Sequence, residues 1–203
     1  MKGGQILSLV PEFELGLWNA WIFTLYVIFS NVLPYVLSGK LIDSEVWKKA
    51  TGADMQLNKT EKKVSNIISF LFYGLIAYSF FLPLKLDTIW LSAGFLIYLL
   101  GAIIETTAML NFFTTPVDKP VTKGVYRISR NPVYLGMVLI FIGISVICAS
   151  WVFLLVTVAL VILIHISVVS EERWCLEKYG DDYREYMNRI PRWIGIPKSE
   201  KKD

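Results

Sequence analysis

The chain has 203 residues, 55% of them hydrophobic and only 18% charged, with a net charge of +3 and a mean hydropathy of +0.52. Soluble domains carry about 25% charged residues. A chain this apolar would expose greasy surface in water, so lipid is its expected solvent. Disorder and a collagen-like repeat are excluded. With only two cysteines, Cys148 and Cys175, so is a disulfide scaffold, and the small, scattered charge points to no nucleic-acid partner.

Uncharged runs locate the expected spans. Leu15 to Gly39 carries no charge over 25 residues, and Glu12 and Glu14 precede it where a signal peptide would have cations. Val64 to Leu84 gives 21 more residues, and Thr88 to Ile104 gives 17 before Glu105, with apolar character continuing to Leu110. From Asn131 to Ser170, 40 residues hold a single ionisable side chain, His165. As one helix that run would measure about 60 Å, twice the hydrocarbon thickness. It must fold back, and Cys148-Ala149-Ser150-Trp151 is the expected turn. The fold class is therefore all-α: a multi-pass transmembrane helical bundle of about five spans, 15–38, 64–84, 88–110, 132–148 and 151–170, with a cytoplasmic C-terminal helical tail.

Counting Lys and Arg gives the orientation. The 39–63 loop, the 111–131 loop and the tail beyond Ser170 hold 18, while the opposite side holds only Lys2 and Lys85. By the positive-inside rule the N-terminus lies outside and the tail is cytoplasmic. In that tail Glu171-Glu172-Arg173-Trp174 continues the last span, and Gly180 is a natural helix stop. Asp182-Tyr183-Arg184-Glu185 has the spacing of a capping box. Tyr183, Tyr186, Met187 and Ile190 share a face, as expected of a short helix lying on headgroups, and Pro191 and Pro197 end it. No small-xxx-small face dominates any span, so the oligomeric state is not legible.

Three groups could carry chemistry. Glu105 is a carboxylate about four residues inside the third span, a costly and usually functional placement. His165 stands two helical turns before Glu172, so both leave one face of the last span. A single histidine with no cysteine pair gives no basis for a protein-built metal or haem site. The segment Gly124 to Tyr134 sets Arg127, Arg130, Tyr126 and Tyr134 beside Asn131-Pro132, an N-cap and first-turn pair. Such a helix end binds carboxylates or phosphates, or anchors the span to anionic headgroups. Glu171 and Glu172 emerge at the same level on the next span. Together the cationic and acidic halves suit a zwitterionic amino-acid ligand.

The run Gly124-x-Tyr126-Arg127-x-x-Arg130-Asn131-Pro132-x-Tyr134, then Glu171-Glu172, then Tyr179-Gly180-Asp181-x-Tyr183-x-x-Tyr186, resembles the isoprenylcysteine carboxyl methyltransferase and phospholipid methyltransferase superfamily. These are integral-membrane enzymes that use S-adenosylmethionine and release S-adenosylhomocysteine. The resemblance covers residues 119–196. It implies a cofactor pocket lined by Val121, Gly124, Tyr126, Arg130, Asn131, Pro132 and Tyr134, with Glu172 and the adjacent Glu171 holding the cofactor's ammonium. It also implies that Arg192 lies near the reacting methyl group and substrate.

One departure stands out: Asn131 occupies a position where the family usually has His, and an amide cannot exchange protons near neutral pH. The chain carries no Gly-x-Gly-x-x-Gly, so a Rossmann methyltransferase is not expected. On this reading residues 1–110 are a three-span region able to shape a substrate tunnel, and 111–203 are the methyltransferase core. The acceptor is lipid-like or a small apolar molecule. A carboxylate needs only an orienting cation, Arg192 or Arg173, whereas an amine needs a base, Glu105 or His165; a thiol lies between. The alternative is a non-catalytic membrane scaffold that keeps the fold.

Overall fold

The computed structural model describes residues 13–37, 45, 48–49, 52 and 54–195; Lys2, Glu12 and Pro197 lie outside them. Among the described residues there are six α-helices and no strand: α1 (Trp21–Leu37), α2 (Lys59–Ser79), α3 (Ile89–Phe113), α4 (Pro132–Ile147), α5 (Trp151–Tyr179) and α6 (Asp181–Arg189), with a 3-10 turn at Gly124–Arg127. Two helices, α3 and α5, are long and apolar enough to cross a membrane, and α4 is a shorter apolar helix.

The helix ends differ from the uncharged runs where polar groups intervene. Residues 15–20 are not helical. The buried Asn19 donates to the carbonyls of Glu14 and Phe80 at 2.5 and 2.7 Å, and Ala20 donates to Leu82, so this stretch runs along the α2–α3 connection and α1 begins at Trp21. α2 starts five residues before its apolar run. Asn58 accepts from the amides of Thr60 and Glu61, and Glu61 accepts from the amide of Asn58, a complete capping box that the run of charges had hidden. The expected turn is present: α4 stops at Ile147, Ala149 takes φ 49°, and Ser150 caps α5 by accepting from Phe153.

α3 and α4 make the closest contact. A Cβ placed on Gly94 would come within 2.6 Å of the Ile147 amide, one on Gly101 within 2.7 Å of the Gly136 carbonyl, one on Gly136 within 2.7 Å of the Glu105 amide, and one on Gly143 within 2.7 Å of the Tyr98 amide. The glycines stand seven apart on each helix, so a small-residue face does exist. A three-residue spacing was the wrong pattern to look for. Lipid offers no hydrophobic drive for helix association, so such backbone approach is what gains packing energy.

α5 has 29 residues, about 43 Å, longer than a 30 Å hydrocarbon layer is thick. Gly180, at φ 57°, ends α5 and opens α6. α6 therefore starts at Asp181 without a side-chain cap, rather than on a capping box at Asp182. Its apolar face does not lie on headgroups either. Tyr183, Tyr186 and Ile190 are buried against Ala108, Val121 and Tyr126, forming a second core above the main one around Ile140, Phe141, Phe153 and Leu160. Burying those rings inside the chain removes more of their surface from water than a headgroup layer would.

Candidate active site

α3, α4, α5 and α6 converge around a cavity of about 410 Å³, within the range of about 300–1,000 Å³ typical of small-molecule sites. Its charged centre is Glu172, only 3% exposed. Arg130 reaches one carboxylate oxygen through Nε at 2.9 Å and Nη2 at 2.7 Å. Arg192 reaches the other through Nε at 3.0 Å and Nη2 at 2.6 Å. The remaining Arg130 nitrogen, Nη1, donates to the carbonyls of Met187 and Ile190 at 2.9 and 2.7 Å. One carboxylate thus joins the start of α4, the end of α5 and the segment after α6.

That segment folds back as a strap. Arg130 N donates to the Pro191 carbonyl at 3.0 Å, while Ser129 Oγ and Asn131 Nδ2 donate to the Arg192 carbonyl at 3.2 and 3.1 Å. Asn131 holds the N-cap position before Pro132, but its side chain makes no cap bond: the strap takes its amide instead. Two turns down α5, His165 Nδ1 accepts from Trp193 Nε1 at 3.0 Å. His165 and Glu172 do share a face, and the strap bonds to both.

Of the residues singled out from sequence, Val121, Tyr126, Arg130, Asn131, Tyr134, Glu171 and Glu172 line the cavity. Glu171 accepts from the Tyr134 hydroxyl at 2.5 Å. Gly124 and Pro132 do not line it. Gly124, at φ 59°, sits so close to Asn111 that a Cβ would meet Asn111 Nδ2 at 2.1 Å, so its part is to shape the loop. Arg192 reaches the cavity through Glu172, and His165 lies outside it. Arg127 is exposed, and Arg173 is committed elsewhere, donating twice to Glu61 at 2.9 and 3.0 Å. That pairing, with the Asn58 amide, pulls the Glu61 carboxyl down to about 2.

Glu105 is 1% exposed and lies below the cavity. Ser30 Oγ donates to its Oε1 at 3.3 Å, and Asn31 Nδ2 donates to Ser30 Oγ at 3.2 Å. Asn31 lines the cavity, so a hydrogen-bonded chain links the cavity wall to a carboxyl whose Oε2 has no hydrogen-bond partner among the described residues. Sequence reasoning missed Asn31, although an amide inside the first span was a visible signal. It also missed Tyr183 and Tyr186 as lining residues; burial pushes both phenols up, so they stay neutral donors. Lys49 was missed too, with no local signal in a charged loop to mark it.

Known proteins bear on this architecture. The family model described as phospholipid methyltransferase matches residues 87–182, from the start of α3 into α6. A methanethiol S-methyltransferase of Bradyrhizobium diazoefficiens is 33% identical over 73 residues, 36% of this chain and 25% of that protein. A protein-S-isoprenylcysteine O-methyltransferase of Saccharomyces cerevisiae is 27% identical over 216 residues, 96% of this chain and 85% of that protein. Residues 87–182 are thus similar to the phospholipid methyltransferase family, and both relatives are methyltransferases by name.

The chain spans only a quarter of the bacterial relative but most of the yeast one. No solved structure matches it. The stretch matched by the family model contains the α3–α4 glycine seam, Arg130, Glu171 and Glu172. Arg192 and the strap lie beyond its end, and Asn31 and Lys49 before its beginning.

Proposed function

We propose that this chain is an S-adenosylmethionine-dependent membrane methyltransferase acting on a lipid-like or small apolar acceptor, with S-adenosylhomocysteine as product. The observation that carries the reading is the cavity built around Glu172 by Arg130 and Arg192, within and just beyond the stretch matched by the family model. The residues present fit such a cofactor: acidic Glu171, a neutral hydroxyl cluster, aromatic walls at Tyr126 and Tyr179, and apolar side chains at Met109, Phe112 and Phe113.

Bound there, S-adenosylmethionine supplies a methyl group on a sulfonium, already strongly electrophilic. Glu171, with Glu172 beside it, provides negative charge for the cofactor's ammonium. Arg130 and the strap hold Glu172 in place and close the cavity against water. Asn131 keeps the strap seated, a binding role that an amide fills as well as a histidine. Arg192, beside Glu172, can orient a polar acceptor group. Glu105, reached through Asn31 and Ser30, is the candidate base for an acceptor that must lose a proton. His165 fixes Trp193 and so positions the strap.

In this reading the first span starts at Trp21 in α1, the others are 64–84, 88–110, 132–148 and 151–170, and the N-terminus is outside with the cavity and tail cytoplasmic. Residues 1–110 shape the path of the acceptor from lipid, and 111–203 form the methyl-transfer core. Calorimetry of the purified protein in mild detergent tests the cofactor. Binding of S-adenosylmethionine and S-adenosylhomocysteine with Kd in the range of about 1–100 μM is expected, or about −8 to −5 kcal/mol. No binding by a folded, relipidated protein would overturn the assignment and leave a scaffold.

A further inference from the structure

One cation in the cavity wall has no bonded carboxylate among the described residues, and Asp118 acts on it only at longer range. Lys49 is 6% exposed, yet it lines the cavity. Its Nζ donates to the carbonyls of Pro116 and Lys119 at 2.9 and 3.1 Å. It also stands 5.3 Å from the ring centroid of Phe112 and 5.9 Å from that of Tyr179. Among the described residues it forms no ion pair. Carbonyl oxygens and ring faces soften the cost of burying an ammonium, but they do not neutralise it. An ammonium has three donors, and two are used.

Lys49 and Arg130 are the cations that line the cavity among the described residues, and Arg130 is already matched. Arg130 and Arg192 share Glu172, and Arg173 is held by Glu61. An incoming anion therefore finds its unmatched partner at Lys49. Burial lowers the ammonium to about 8, which leaves it charged at neutral pH. A residue that served only to staple the 116–119 loop would need hydrogen bonds but no buried charge facing a cavity.

We infer that Lys49 anchors the carboxylate of the cofactor's amino-acid moiety, a contact supplied by the region before α2 and not by the matched methyltransferase stretch. The inference rests on the cofactor reading above. It makes the pocket a joint product of the two regions: the segment before α2 contributes the carboxylate anchor, and the α4–α5 ends contribute the acidic side.

The test is calorimetric binding of S-adenosylmethionine and of its decarboxylated analogue to the full chain in mild detergent, for the native protein, Lys49→Met and Lys49→Arg. The native protein should bind the decarboxylated analogue about tenfold more weakly, equivalent to about 1.4 kcal/mol. Lys49→Met should lose about the same factor for S-adenosylmethionine and no longer distinguish the two ligands, whereas Lys49→Arg should keep the preference. A native protein that binds both ligands equally overturns the inference while leaving the cofactor reading intact. So does a Lys49→Met variant that retains the native preference, since the carboxylate would then be held elsewhere. If the native protein binds neither these ligands nor S-adenosylhomocysteine, both readings fall together. The native comparison needs no substitution, so misfolding of a variant cannot hide the answer.

Discussion

Along α3 and α4 two helices meet because atoms are missing, whereas around Glu172 three segments meet because charges are present. In the seam, four glycines let backbone touch backbone, and a Cβ at any of them would meet a main-chain atom at 2.6 to 2.7 Å. In the cavity, Glu172 is engaged by two guanidiniums, and the chain stretches joined there lie 42 and 20 residues from it. The seam is steric, and its cost is paid in backbone freedom at glycine. The cavity wall is ionic, and desolvating its charges is worthwhile only while every partner stays. The difference teaches where each kind of change does damage: added volume breaks the seam, and removed charge breaks the cavity.

The largest effect should come from Glu172→Ala. It leaves Arg130, nearly fully buried, and Arg192 without their anion, a loss of about 3–5 kcal/mol for a broken buried pair. The expected readout is a marked fall in detergent melting temperature, with proteolysis opening first in the 190–195 strap. A variant that melts like the native chain would show that the triad does not hold these segments together.

Next is Gly136→Leu, which inserts a side chain where even a Cβ would lie 2.7 Å from the Glu105 amide. Overpacking costs about 1–3 kcal/mol and occasionally more. A loss of melting temperature in Gly136→Leu, set beside a tolerated Leu at the open Gly74, would identify the seam by its geometry and not by glycine content.

The smallest effect is expected at Glu61, on the exposed link between α2 and α5. Its carboxyl lies near 2 in the folded chain against an ordinary 4.5, so the folded state favours the charged form. The link therefore contributes fully above pH 4.5 and is lost as pH falls toward 2. The melting difference between the native chain and Glu61→Gln should accordingly be present at pH 7 and shrink steadily below pH 4.5. A difference that grew on acidification would reverse the sign and remove the ion pair as its cause.

Much of the fold was legible because hydropathy is a local property. Uncharged runs marked where α3, α4 and α5 lie, and the length of the 131–170 run demanded the turn found at Ala149. The helix ends were less legible. Asn19 pulls 15–20 out of a helix through the Phe80 carbonyl, 61 residues away, and the Asn58 capping box extends α2 into a charged stretch that hydropathy reads as loop. At the site, the tail arginine and the paired glutamates were visible as residue types. Their pairing was not: Glu172 meets two arginines, Arg173 turns to Glu61, and Asn131 binds the strap instead of capping its own helix.

The sequence by itself determined that this chain is helical and lipid-suited, where the polypeptide turns between α4 and α5, and which methyltransferase family residues 119–196 resemble. Each of these depends on neighbours in the chain or on side-chain types at fixed spacing. Only the tertiary structure decided which charges are spent on one another and which face the cavity uncompensated. Whether a buried ion is matched depends on a partner brought from far along the chain. Lys49 is the clearest case: one lysine among several in a charged loop becomes a buried cation only once α3 and α5 close around it.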